Sequence, residues 1–308
     1  MLFGNKDFVE GYIAKGSELA GGKEIVYGVT LGSIAKGIQR LDSDYDARLF
    51  TFEKDKITEA VKNGTADVKW IDDAIRHIPG DSENNTLYYD KIPVWELNSF
   101  LDMLIDPRSE IRAIPVMQYY QVYYTFAAPY QYDPYGLCER LSPIAWSVMD
   151  RHLLLESFEK DLKRRYTFRE DGTISSRDYL KTMYNLLSQK WVLELSDRPP
   201  VYLESLYYLV DDEAVIEKLR EIYTGLVKDA LEEEKYQRKV SKYYYMPADK
   251  ALDDYIKREH DKVLSLWEQK KPEYDKIYDV QKQIAAVGKM RDIALRSLDE
   301  AVAKGIND

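Results

Sequence analysis

The stretch Leu31-Gly32-Ser33-Ile34-Ala35-Lys36-Gly37-Ile38-Gln39-Arg40-Leu41-Asp42-Ser43-Asp44-Tyr45-Asp46-Ala47-Arg48 sets a Gly-Ser turn eleven residues ahead of a spaced carboxylate pair. Before it, Glu24-Ile25-Val26-Tyr27-Gly28-Val29-Thr30-Leu31 is rich in β-branched and aromatic residues and reads as a buried strand. Gly32 lets the backbone approach a ligand with no Cβ in the way. Ser33 can cap a short helix and offer its own hydroxyl. A second strand is expected near 46 to 53. Because side chains alternate along a strand, Asp44, Asp46 and Arg48 share one face, and Tyr45, Ala47 and Leu49 the other.

Two carboxylates at i and i+2 on one strand face can ligate the same hard cation or bridge a pair. Magnesium favours oxygen ligands and keeps part of its shell for water and phosphate, with manganese as the alternative ion. In two-metal chemistry the ions sit roughly 3.5 to 4 Å apart and clamp the attacking and leaving oxygens of an in-line displacement. Free amides at the Gly32-Ser33 turn would face phosphate oxygens. The pattern therefore suits a metal-bound nucleoside triphosphate. An Asp-x-Asp pair alone is common in solvated turns; strand, Gly-Ser turn, short helix and strand together give it weight.

Gly32-Ser33-Ile34-Ala35-Lys36-Gly37 followed by Ser43-Asp44-Tyr45-Asp46-Ala47-Arg48 resembles the signature of the DNA-polymerase-beta-like nucleotidyltransferase superfamily, and within it the YcgL-type nucleotidyltransferases, some associated with RNA repair. Weaker likeness continues through Trp95-Glu96-Leu97, Leu141-Ser142-Pro143-Ile144 and Lys181-Thr182-Met183-Tyr184 to Trp191 and Pro199-Pro200, about the first two thirds of the chain. Ile34 and Lys36 stand where that family usually has an arginine and a large aromatic.

The resemblance implies transfer of a nucleoside monophosphate from a nucleoside triphosphate to an acceptor, with release of pyrophosphate. It assigns Asp44 and Asp46 to metal binding. Asp90, or Glu96 in its place, would be the third carboxylate, and Gly32 and Ser33 would hold the β and γ phosphates. By family position Lys181 reaches the triphosphate as a point charge. Arg48 would orient Asp46 or neutralise the acidic cluster. The acceptor stays open between an RNA end, a protein side chain and a small molecule. Two other readings stand beside this one: a catalytically inactive nucleotide-binding or interaction module with the same fold, and a metal-dependent phosphohydrolase using the same acids. Like charges crowded on one strand face serve no purely structural purpose, which disfavours the first. No histidine stands beside the acids in the sequence, which disfavours the second.

A chain of 308 residues is long enough for two cores, and its 45% hydrophobic and 32% charged residues fit a globular protein. No apolar run reaches about 18 residues and no basic-then-apolar leader opens the chain, so neither a membrane span nor a secretory signal is expected. The single cysteine, Cys138, excludes an internal disulfide framework and fits a cytoplasmic home. His77, His152 and His260 lie in no nucleophile or zinc motif. A net charge of -10 argues against a chain-wide nucleic-acid footprint. One local candidate is Lys235-Tyr236-Gln237-Arg238-Lys239-Val240-Ser241-Lys242-Tyr243-Tyr244-Tyr245, where basic residues alternate with aromatics, although Glu232-Glu233-Glu234 precedes it.

The expected fold class is α+β, a small mixed-sheet nucleotidyltransferase domain over 1–140 followed by an all-helical bundle over 141–308. Helices are expected near 6 to 20, 55 to 62 and 93 to 105, with a strand near 85 to 90. The tract from Pro115 to Gly136 carries seven tyrosines and reads as a packing layer. Ser142-Pro143 should open a helix running to Arg165, followed by one from Ser176 to Leu195. Asp211 should cap another, and Pro272 should break the last stretch.

Overall fold

The computed structural model describes residues 6–30, 32–38, 47–53, 75–77, 93–103, 131–236, 245–277 and 280–303. The fold is mixed α+β and mostly helical. Two compact units form: Met1–Gly32 with Asp44–Asp150 and Lys276–Asp308, and Ser33–Ser43 with Arg151–Asp275.

The first unit is built on β1 (Tyr27–Thr30), β2 (Ala47–Thr51), β3 (Ile75–His77), β4 (Pro93–Glu96) and β5 (Gln131–Tyr132), ordered β3-β4-β2-β1-β5. β1 is antiparallel to β2 and β5, β3 is antiparallel to β4, and β2 and β4 run parallel with Phe50 beside Trp95. Alternation sends Leu49 to one face, where helix α1 (Lys6–Leu19) approaches so closely that a Cβ on Gly16 would lie 2.3 Å from Leu49 Cδ1. Arg48 and Phe50 take the other face. There Phe100 of α3 (Leu97–Met103) stacks edge-on against Phe50 at 5.1 Å and Trp95 at 5.4 Å, all three rings buried. Helices α4 (Leu137–Val148) and α10 (Val280–Ala303) complete this unit. Arg140 Nη1 donates to Ser297 Oγ at 2.9 Å, and the buried Arg291 Nη2 donates to the Asn98 carbonyl at 2.9 Å.

The second unit contains the short helix α2 (Gly32–Ala35) from Ser33 onward, α5 (Arg151–Arg165), α6 (Ser176–Leu195), α7 (Leu203–Leu206), a 3-10 turn Tyr207–Leu209, α8 (Glu213–Tyr236) and most of α9 (Lys250–Ile277). It is not wholly helical, because β6 (Thr173–Ser175) pairs antiparallel with β7 (Tyr245–Pro247). Helix α6 is central, with 14 of its 20 residues buried. Three of its buried polar side chains meet acids from its neighbours: Asn185 donates to Asp161, Gln189 to Glu159 and Lys190 to Glu259.

Several expectations are corrected. Residues 93–105 are not one helix, since Pro93–Glu96 is strand β4 and the helix starts at Leu97. Pro93 takes the first strand position, where a missing N–H is tolerated. Pro143 lies inside α4 and does not open it; the Asp133 carboxylate accepts from the Leu137 and Cys138 amides at 2.7 and 2.8 Å and so sets the start six residues earlier. The chain breaks at Met149–Asp150, so α4 and α5 are separate helices. Asp212, not Asp211, begins α8, its carboxylate accepting from Ala214 N and its carbonyl from Val215 N. Pro272 sits within α9, which continues so that Tyr274 is buried with its hydroxyl donating to the Val192 carbonyl. The expected helix at 55–62 and strand at 85–90 lie outside the described residues, as does the tyrosine tract before Gln131. Its two described members, Tyr132 on β5 and the buried Tyr135, which bonds Glu24, pack in the sheet unit.

Candidate functional site

Gly32 holds φ at +66°, a backbone state that glycine alone adopts without strain, and the chain enters α2 there. The end of α2 is locked as well. Ile38 N–H donates to the Ser33 carbonyl and Gly37 N–H to that of Ile34, with Gly37 at φ +68°, a Schellman closure. The Lys36 carbonyl accepts from Leu203 N–H at 2.9 Å, and the Tyr202 ring lies so close to Gly37 that a Cβ there would fall 2.0 Å from it. The turn is thus rigid, and it belongs to the helical unit from Ser33 on.

Ser33 is buried, and its hydroxyl accepts a hydrogen bond from the Arg177 guanidinium in the first turn of α6. Lys181 stands one turn further along α6, on the same face. Burial, with the charges of Arg165 and Arg177, lowers its pKa from 10.5 to about 8. Arg165 Nη1 reaches Asp178 at 3.0 Å, and its Nε lies 3.5 Å from Asp161. Lys36 is 2% exposed, its ammonium 4.6 Å from the centre of the Tyr184 ring. Burial pushes the Asp161 carboxyl up, but hydrogen bonds from Arg164 and Asn185 and the charges of Lys36 and Arg165 hold it below its ordinary range.

Arg177 at Ser33, Lys181 one turn further along α6, and Lys36 and Arg165 acting on Asp161 thus gather near the start of α6 with two carboxylates, Asp161 and Asp178. This local positive excess stands in a chain of net charge -10. The hydroxyls of Ser175 and Ser176, at the same helix start, are buried without a hydrogen-bond partner among the described residues. Cations at a helix N-terminus repel one another and favour negative charge beside them.

Of the residues expected from sequence, Ser33 accepts from Arg177, whose charge also acts on Lys181, and Gly32 immediately precedes Ser33. Arg48 is 3% exposed, with its guanidinium carbon 4.6 Å from the Trp95 ring centre. Burial lowers its pKa to about 9, so it is charged at neutral pH. Glu96 sits at the far end of β4, where Thr51 pairs with it, and its carboxylate accepts from Glu53 N–H at 3.2 Å and Asn98 Nδ2 at 3.3 Å. Four strand steps, about 13 Å, separate Thr51 from Ala47, the β2 residue nearest in sequence to Asp46. Asp44, Asp46 and Asp90 lie outside the described residues. Among the described residues, no group of three or more His, Cys, Asp or Glu side chains could hold a metal ion, and no helix is long and apolar enough to cross a membrane.

Sequence reasoning missed Arg165, Arg177 and Asp161. The i, i+4 spacings Arg177–Lys181 and Asp161–Arg165 were the available signal, each placing its pair on one helix face. In comparisons with known proteins, no family model, no curated protein and no solved structure matches this chain.

Proposed function

We propose that the chain is a metal-dependent nucleotidyltransferase that moves a nucleoside monophosphate from a nucleoside triphosphate to an acceptor and releases pyrophosphate. The observation that supports this best is the group of cations around Ser33, with Lys181 lowered to about 8 by burial and by Arg165 and Arg177. Such crowding is unfavourable until an anion neutralises it, and a triphosphate tail brings several charges. In this reading Arg177 and Lys181 hold the β and γ phosphates and Lys36 holds the turn in place. As the acceptor oxygen forms its bond to the α-phosphorus, the bond to the bridging oxygen breaks and charge grows on the departing pyrophosphate. Fixed cations stabilise that charge without reorganising.

Asp44, Asp46 and Asp90 are the metal-binding acids of this proposal. Their oxygens are the donor type magnesium favours, and the ion bound there would neutralise charge between the reacting oxygens. Glu96, whose carboxylate is engaged with Glu53 and Asn98, is then a structural acid.

Incubation with magnesium and each α-labelled triphosphate tests this directly. Label passing to an acceptor with pyrophosphate release is expected. Asp44→Asn and Asp46→Asn should each lower the rate by about a hundredfold or more while triphosphate binding persists. Full activity in both variants would overturn the assignment; free labelled monophosphate would make the protein a hydrolase.

A further inference from the structure

Tyr245, the last residue of the basic and aromatic run that begins at Lys235, opens β7 and is paired with Ser175. Ser175 is the N-cap of α6, two residues before Arg177. Cα atoms of antiparallel partners lie about 5 Å apart, so Tyr245 stands beside the cation group within the same unit. Its side chain is 38% exposed, and the Arg169 guanidinium carbon lies 4.3 Å from the centre of its ring. Arg169 is itself exposed and is held to β6 by its N–H, which donates to the Thr173 carbonyl at 2.8 Å.

We propose that Tyr245 and Arg169 form a stacking platform for the bases of a single-stranded nucleic acid whose end is the acceptor of the proposed transfer. The inference rests on the nucleotidyltransferase reading for the transfer but not for the binding. A guanidinium laid over an aromatic ring offers its outer side to a base, and every base has a face that stacks regardless of sequence. The charge of Arg169 also suits the phosphates that join those bases. A half-exposed ring with an arginine over it suits a base better than it suits a protein side chain or a small polar acceptor. In the transfer, the hydroxyl at the strand end supplies the oxygen that bonds to the α-phosphorus, its proton passes to solvent, and pyrophosphate leaves.

The test uses the full chain and a fluorescein-labelled single-stranded RNA of ten nucleotides, followed by anisotropy, with the DNA of the same sequence as a parallel arm. Saturable binding is expected, weakened about tenfold or more by Tyr245→Ala and by Arg169→Ala and retained by Tyr245→Phe, with triphosphate affinity unchanged in all three. Arg169→Ala keeps the test decisive should Tyr245→Ala fail to fold, because the Arg169 side chain lies on the surface. Absence of saturable binding to either strand, or equal affinity in the alanine variants, overturns the platform. The two proposals fail separately. Strand binding lost with Arg169 but without label transfer keeps the platform and rejects the transferase. Label passed to a protein or small molecule with no strand binding does the reverse.

Discussion

Arg177 donates a hydrogen bond to the hydroxyl of Ser33, 144 positions earlier in the chain. That bond joins the turn after β1 to the first turn of α6, and through α6 to Lys181. Replacing Arg177 or Lys181 by alanine should therefore weaken triphosphate binding by about ten- to a hundredfold, the usual worth of a charge-assisted hydrogen bond. Isothermal titration with a non-hydrolysable triphosphate reads this directly. Unchanged affinity in both variants would remove the cation group from the site.

Lys181 makes the same binding sensitive to pH. With its pKa lowered to about 8, it is charged below that pH and neutral above it, whereas an unperturbed lysine stays charged to 10.5. Affinity should fall as pH rises from about 7 to 9, and Lys181→Arg should flatten the profile. The effect on folding has the opposite sign. The unfolded chain binds this proton more tightly, so Lys181 makes the fold gain stability as pH rises from about 8 to 10.5. Urea midpoints at matched pH for wild type and Lys181→Met measure that contribution.

Gly37 answers to two constraints at once, φ of +68° and the Tyr202 ring. Gly37→Ala should cost about 2 to 5 kcal/mol, combining left-handed strain with overpacking. The double variant with Tyr202→Ala should recover the steric part and leave the strain, so a double-mutant cycle by chemical denaturation separates them.

Glu259 has a fully buried side chain that accepts from Lys190 Nζ at 2.7 Å, Lys262 Nζ at 2.6 Å and Arg258 Nε at 3.1 Å. Burial pushes its carboxyl up, but these three donors bring it down to about 2, from 4.5. Its stabilising share is complete above about pH 4.5 and is lost as pH falls towards 2. Glu259→Gln should flatten the acid limb of the stability curve in that window. Lys190→Met, which leaves part of the carboxylate's charge uncompensated, should cost about 3 to 5 kcal/mol at neutral pH.

Local chemistry was legible in the sequence wherever it decided the outcome. The limits of α6 follow from its periodicity, and β1 from its β-branched and aromatic content. The errors share one cause: a nearby residue made a plausible boundary while a partner elsewhere set the real one. Ser142-Pro143 is a good helix start, yet the two Asp133 hydrogen bonds come first. Pro272 can end a helix, yet burying Tyr274 carries α9 past it. At the candidate site, Ser33 could be chosen by residue type and spacing, and Lys181 by the family resemblance. Arg165 and Arg177 could not, because their significance depends on Ser33, Asp161 and Asp178 meeting them in space.

The hydrogen bond from Arg291 to the Asn98 carbonyl spans 193 residues of chain. On the ribosome, at roughly 5 to 20 residues per second, β4 and α3 emerge roughly 10 to 40 seconds before α10 exists to cover them. The first-made unit is accordingly the last to be finished, and until then α3 lacks the helix that Arg291 ties to it.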